Sequence, residues 1–388
     1  MNKIQQYLLD HQDEMIALTK QLVNIDSPSY HLAGIQQIMR ILESRMKALG
    51  MTTYQLESGK PGTVLVGQLA GKESGAPVIL SGHIDTVFPV GTAQQRPFKI
   101  AGDKMTGPGI FDMKPGIVIG LYAIQALKHF DLIERPLKII IVSDEEKLHL
   151  ASNAAQLIAQ EAQGGAYGLN LEGTTATNTV GTSNRGGMII DLTVHGRAAH
   201  SGSEPEKGRD AVVELAHKII QLTALTNLPE EIHVNCGRIT GGISENIIPD
   251  QATTSLGIRF RTLTQRDQLL QQIRQIAHQH VIPETTTDVT IRTQIDSLEA
   301  TTTVQQLFAN LDRAAKKLGI SPLIAANDRG SSDAGVLYAQ GVPCIDGLGV
   351  VGGAAHTDQE FASVHSLVER AALIATLICT KDAKKTPR

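Results

Sequence analysis

The sequence predicts an α/β fold interrupted by a smaller α+β insertion, and three observations carry that prediction. Short apolar runs alternate with amphipathic helical stretches as far as Glu172. The order of elements then changes to β-α-β-β-α-β between Gly181 and residue 296, and the alternating pattern resumes after it. A length of 388 residues exceeds one ordinary domain, which agrees with the division. The expected boundaries are 1–185 and 297–388 for the two parts of the larger domain and 186–296 for the insertion.

Taken in order, Ile4, Leu8, Met15, Leu18 and Leu22 recur at helical spacing over 3–24, and Asp26-Ser-Pro28-Ser29 ends the pattern. A second helix fits 31–49, with Ile35, Ile38, Leu42 and Leu49 on one face and Gly50 as its stop. Strand-type runs follow at 51–56, 63–69 and 77–82. A helix is expected over 114–129, followed by Leu137-Lys-Ile-Ile-Ile-Val142, a run with the look of a strand buried on both faces. A helix near 150–162 leads to a short strand ending at Leu171-Glu172. In the insertion, strands at 187–195, 231–239, 252–261 and 287–293 and helices at 209–226 and 264–280 describe one antiparallel sheet with both helices on one face. That is a ferredoxin-like arrangement. A helix at 302–318, strands near 322–326 and 342–346 and a last helix at 363–380 return to the α/β pattern; the tail from Lys381 reads as frayed.

A hydrophobic share of 41% and a charged share of 19% are those of a soluble globular chain. The net charge of -4, with both signs mixed along the chain, gives no reason to expect nucleic acid or an anionic membrane as partner. No stretch approaches the ~18 apolar residues of a membrane span, and the first ten residues lack a signal-peptide core. Cys236, Cys344 and Cys379 are odd in number and far apart, which argues against a disulfide framework or a thiolate zinc site. A cytoplasmic location is expected.

Chemistry-bearing residues stand where strands end. In Val78-Ile-Leu-Ser-Gly-His83-Ile-Asp85 an apolar run gives way to a histidine and an aspartate two apart, a spacing that shares one side of a strand. Asp112 lies in a Gly- and Pro-rich loop, Thr106–Gly116, directly before a helix, where an N-cap is a common role for aspartate. Asp144-Glu145-Glu146 follows the most hydrophobic strand; consecutive carboxylates there repel one another, and a divalent cation would remove the conflict. Glu172 poses the same question on another strand end, and His356 sits in Gly352–Asp358, a loop with no apolar face. Ligands converge at such positions in open α/β sheets. Other histidines, among them His11, His129 and His217, read as surface residues.

Two histidines with several carboxylates and no cysteine suit Zn²⁺ and, less well, Co²⁺ or Mn²⁺. The acids exceed what one tetrahedral ion needs, so a two-metal site is the economical expectation. One carboxylate must then stay unligated to take a proton from water.

These stretches resemble, in order and over nearly the whole chain, the motifs of the co-catalytic zinc amidohydrolases: glutamate carboxypeptidase, acetylornithine deacetylase, succinyl-diaminopimelate desuccinylase and aminoacylase. Ser81-Gly-His83-Ile-Asp85-Thr-Val looks like the first metal motif, Gly107-Pro-Gly-Ile-Phe-Asp112-Met-Lys the second, and Asp144-Glu145-Glu146 the third. The resemblance implies a mixed-sheet catalytic domain with an inserted lid and dimerisation domain. It implies that His83 and Glu172 bind one zinc, Glu146 and His356 the other, and that Asp112 bridges them. Asp85 would orient His83 through its other ring nitrogen, Glu145 would be the general base, and the bond after Asp112 would be cis. In the insertion, Val194-His-Gly-Arg-Ala-Ala-His200-Ser-Gly202 looks like the lid motif whose histidine reaches the oxyanion, commonly from the partner subunit of a homodimer. Asn246 and Arg259 match lid residues that contact substrate. Asn327-Asp-Arg329-Gly330-Ser-Ser-Asp333 resembles the substrate loop of the glutamate carboxypeptidase branch. Arg259 and Arg329 are the expected partners of a substrate carboxylate.

The sequence departs from the family in one turn. After Glu146 the family has a residue and then Gly-Ser, whereas this chain has Lys147-Leu148-His149-Leu150. A leucine unable to adopt the glycine's backbone angles would displace Glu145. The leading expectation is a hydrolase cleaving an amide next to a free carboxylate, in an acyl-amino acid or short peptide. An N-acyl amino-acid deacylase is the second. A metal-binding but inactive relative, serving as a binding protein, is the third.

Overall fold

A computed structural model of the chain describes residues 2–59, 63–150, 152–320 and 322–380; the tail read as frayed lies outside the described residues. The chain forms two compact units. One comprises the described residues of Met1–Asn184, Leu298–Asp328 and Ser332–Arg388, and the other Arg185–Ser297 with Arg329–Ser331. Those last three residues thus group with the inserted unit, although they lie inside the 297–388 segment.

The first unit is built on a six-stranded sheet in the order Thr52–Glu57, Thr63–Leu69, Leu137–Val142, Val78–His83, Tyr167–Asn170, Cys344–Ile345. Thr63–Leu69 runs antiparallel to both its neighbours, and the other five strands all run in one direction, so the sheet is mixed. Val78–His83 lies in the interior of the sheet and is buried at every position, which is why it shows no polar alternation. Parallel strands put their carboxyl ends on one edge, and the chain leaves that edge at His83, Ser143 and Leu171. The helix Lys114–His129 packs behind it, and a Cβ added at Gly116 would collide with the Leu171 carbonyl, so only glycine permits this approach.

The pattern over 3–24 proves to be two helices, Lys3–Asp10 and Gln12–Val23. At His11 the ring stacks on Tyr7 at 4.0 Å, and its Nδ1 lies 2.7 Å from the Tyr7 carbonyl, which ends the first helix. A small four-stranded sheet was not legible in the sequence: Gly352–Gly353, Phe361–Ser363, Lys104–Thr106 and Lys99–Ala101. Its strands are two or three residues long, too short to show a period.

The second unit has the β-α-β-β-α-β order. Its sheet runs His233–Gly241, Gln251–Phe260, Gly186–His195, Thr286–Ile295, antiparallel throughout. Helices Ala211–Thr223 and Leu263–His278 cover one face, where Met188, Ile190, Leu192 and Ile258 pack against Leu222, Leu269 and Ile273. Along the two central strands burial alternates with period two, as a sheet covered on one side requires. A capping box between Thr262 and Gln265 starts the second helix. Among the described residues, no helix is long and apolar enough to cross a membrane.

Candidate metal centre

His83 is the last residue of its strand, so Asp85 stands beyond the strand rather than on it. The chain still brings the two together. His83 Nδ1 lies 3.1 Å from the Asp85 backbone oxygen and 3.3 Å from Asp85 Oδ1. The Asp85 carboxylate also accepts from Ser29 Oγ at 2.6 Å and from the backbone N–H groups of Glu145 (3.2 Å) and Glu146 (3.1 Å). One fully buried carboxylate therefore sets both the imidazole and the acidic turn.

The other imidazole nitrogen, His83 Nε2, faces Asp112 Oδ1 at 3.0 Å and Glu172 Oε1 at 3.4 Å. Asp112 turns its second oxygen to His356 Nε2, also at 3.0 Å, and His356 Nε2 lies 3.1 Å from Glu146 Oε2. Ligand atoms of His83, Asp112 and Glu172 fall within 4.8 Å of one another, as do those of Asp112, Glu146 and His356. The two triads share Asp112. Glu145 belongs to neither, yet its Oε2 is 3.9 Å from His83 Nε2.

Asp112 is not an N-cap: the cap position of the following helix is Met113, without a side-chain bond, and the Asp112–Met113 peptide is cis. Its loop is fixed by Glu360, a residue that sequence reasoning missed. The buried Glu360 carboxylate accepts from Gly109 N (3.0 Å), Phe111 N (2.8 Å) and Asp112 N (3.0 Å). Its one sequence signal is an acid four residues after His356.

The three consecutive acids diverge. Asp144 turns to His149, Glu145 toward His83, and Glu146 to His356. The turn after them accommodates the missing glycine by backbone conformation: Leu148 sits at φ 52°, ψ 35° and His149 at φ 53°, both left-handed. Leu148 thus takes the conformation that the departure put in question.

Electrostatics show what the cluster demands. Burial pushes Glu145 well above the ordinary glutamate range and raises Glu146, and it carries Glu172 up to about 8 with Asp112 adding repulsion. Asp112 and Glu146 push His356 up to about 10, and Glu172, Asp112 and Asp85 outweigh burial to raise His83. Acids that resist ionisation, crowded about imidazoles that hold protons, are a donor set short of cations. Asp112 is the exception: His356 and His83 outweigh its burial and hold it below the ordinary aspartate range, and with it the two triads offer five donors that fit a pair of divalent ions.

The remaining residues named from the sequence lie in the second unit. Ala199–His200 pairs with Ile247–Ile248, which brings His200 beside Asn246; Ser201 N donates to the Asn246 backbone oxygen at 3.0 Å. His200 Nδ1 accepts from Gly202 N and Ser203 N, each at 3.1 Å, so the exposed ring carries its proton on Nε2. Arg259 Nη1 donates to the Ile258 carbonyl at 3.2 Å, while the neighbouring Arg185 pairs with Glu231. Burial and Arg185 lower the Arg259 pKa. Gly330 accepts from Arg185 N at 3.0 Å, and Arg329 is exposed.

Comparison with known proteins follows the same lines. Carboxypeptidase G2 of Pseudomonas sp. (strain RS-16) is 28% identical over 391 residues, covering 99% of this chain and 93% of that protein. Aminopeptidase PepT from Bacillus cereus superposes with a TM-score of 0.71 at 22% identity, covering 96% of this chain and 99% of the other. The Bacillus subtilis YXEP protein, described as a dinuclear metal binding peptidase, gives a TM-score of 0.65 at 15% identity, covering 95% and 98%. The family model for peptidase family M20/M25/M40 matches residues 79–380, a span that includes every strand end and loop contributing to the two triads. This chain is a member of that family, an enzyme of the metallopeptidase and amidohydrolase class.

Proposed function

We propose that the protein is a dinuclear zinc hydrolase that cleaves an amide bond next to a free carboxylate, of the glutamate carboxypeptidase type. The observation that carries this reading is the pair of ligand triads joined at Asp112, with Glu145 beside them and in neither. His83 and Glu172 would hold one ion, Glu146 and His356 the other, and Asp112 both. Zinc bound there would polarise the scissile carbonyl and acidify a water molecule. Glu145 takes the proton of the attacking water and returns it to the leaving amine. Asp85 keeps Glu145 in place through its backbone N–H. His200, with its proton on Nε2, is suited to donate to the oxyanion. Arg259 lacks a carboxylate partner among the described residues and is suited to grip a substrate carboxylate; Arg329 and Asn246 are assigned to the same recognition, with Gly330 supplying backbone. The likeness to Carboxypeptidase G2 along the whole chain supports the substrate class, and the YXEP description supports two metals.

The second unit is assigned to homodimerisation. Its edge strand His233–Gly241 and adjoining loop expose Ile239 and Ile243, and the helix Ala211–Thr223 exposes Ile220. A monomer in sedimentation at micromolar concentration would count against action of His200 across subunits.

The test is Glu145→Ala. Turnover of an acyl-glutamate falls at least ~10²–10⁴-fold, the usual contribution of a positioned base, while zinc content measured by mass spectrometry stays near that of the wild type. Undiminished turnover removes Glu145 as the base. Comparing kcat/KM on acyl-glutamates and on acetyl-amino acids separates carboxypeptidase from deacylase.

A further inference from the structure

The turn that departs from the family's pattern holds a buried histidine with no part in the reading above. His149 is 3% exposed, and its imidazole lies between two carboxylates. Nδ1 is 3.0 Å from Asp144 Oδ1, and Nε2 is 2.9 Å from Asp333 Oδ1. Ionised carboxylates only accept hydrogen bonds, so both ring nitrogens donate and the ring is an imidazolium. The charges of Asp333 and Asp144 outweigh burial and hold it in that form.

Both partners matter for the site. Asp144 opens the turn immediately before Glu145, and its Oδ2 is buried without a hydrogen-bond partner among the described residues. His149 N also donates to the Asp144 carbonyl at 3.1 Å, so main chain and side chain close the turn on the same residue. Asp333, 184 positions away in sequence, opens the helix Asp333–Ala339 and is close enough to act electrostatically on Glu145. The bridge therefore pins a turn whose own backbone is unfavourable, with Leu148 and His149 both left-handed.

We propose that His149 is a positioning residue: clamped between Asp144 and Asp333, it holds the Glu145–Glu146 turn against the start of the Asp333–Ala339 helix. The proposal rests on the roles given to Glu145 and Glu146 under the proposed function. Without the imidazolium, two buried carboxylates face one another unpaired, and the turn shifts to separate them.

The experiment compares wild type, His149→Gln, Asp333→Asn and the double variant by zinc competition against a chromophoric chelator, by kcat and KM on an acyl-glutamate, and by melting temperature. His149→Gln is expected to weaken one zinc site about 10–100-fold, the range for groups that support ligands, and to lower kcat at least about tenfold with KM nearly unchanged. The double variant loses no more than His149→Gln alone, because the unpaired Asp333 charge is gone. A His149→Gln protein that melts lower yet binds both zinc ions and turns over as the wild type does overturns the proposal, since the role is then only structural. If His149→Gln does not fold, Asp333→Asn decides: it keeps the ring and an accepting oxygen but removes one of the two charges that clamp it, and unchanged zinc affinity and kcat overturn the proposal. If the wild type hydrolyses no acyl-amino acid, the proposed function fails, and zinc competition alone still decides the role of His149.

Discussion

The loop Gly107–Asp112 and the turn Asp144–His149 both deliver carboxylates to one cluster, and they are secured in opposite ways. The first places glycines where the backbone is left-handed, Gly109 at φ 74° among them, and hands three N–H groups to the single carboxylate of Glu360. The second has no glycine. Leucine and histidine occupy its left-handed positions, and side chains hold it from outside: Asp85 on the backbone of Glu145 and Glu146, His149 between Asp144 and Asp333. Where sequence supplies the conformation, one acceptor suffices. Where it does not, a network must impose the shape, so the turn should be the more sensitive of the two to changes at a distance.

Asp85→Ala is the strongest way to break the contrast, because it releases the turn and His83 together. Its kcat/KM is expected to fall about 100-fold, the upper end of the range for groups that support ligands, with weaker metal retention in a chelator titration. Glu360→Gln attacks the other loop and comes next. The amide keeps one accepting oxygen but turns a donor toward N–H groups, at a cost of about 1–3 kcal/mol of stability. Since Asp112 belongs to both triads, this change should weaken both proposed metal sites together, whereas His149→Gln weakens one. The smallest effect is expected at Leu148. Leu148→Gly gives the turn the residue its backbone asks for and should stabilise the zinc-loaded protein by about 0.5–1 kcal/mol in urea unfolding. A destabilised Leu148→Gly protein would mean that the leucine side chain contributes more than its backbone costs.

Much of this was legible in the sequence. The apolar runs of Val78–Leu80 and Ile139–Val142 identify buried parallel strands, and polar residues directly after such runs have nowhere to go but the sheet's edge. The insertion was legible because its strands are long enough to alternate. What escaped depends on partners far along the chain. Glu360 looks like an ordinary loop acid until the Asp112 loop is folded beside it. The turn after Glu146 looked like damage until Asp333 supplied a partner for its histidine. Asp85 was read as a neighbour of His83 on a strand, but its larger contribution, to the backbone of the acidic turn, comes from another strand's end. No local pattern encodes such meetings.

The small sheet has a consequence for how the enzyme is made. Phe361–Ser363 pairs with Lys104–Thr106, and Asp103 fastens the same segment by accepting from Ser363 Oγ at 2.6 Å and from His365 N at 2.8 Å. Glu360 and His356 arrive with it. A nascent chain that has emerged through the inserted unit already owns His83, Asp112, Glu145, Glu146 and Glu172, but not the acceptor that fixes Asp112 nor the second imidazole. The first triad's side chains are thus synthesised well before the second can be completed. His356 and Glu360 are the last members of the cluster to be synthesised.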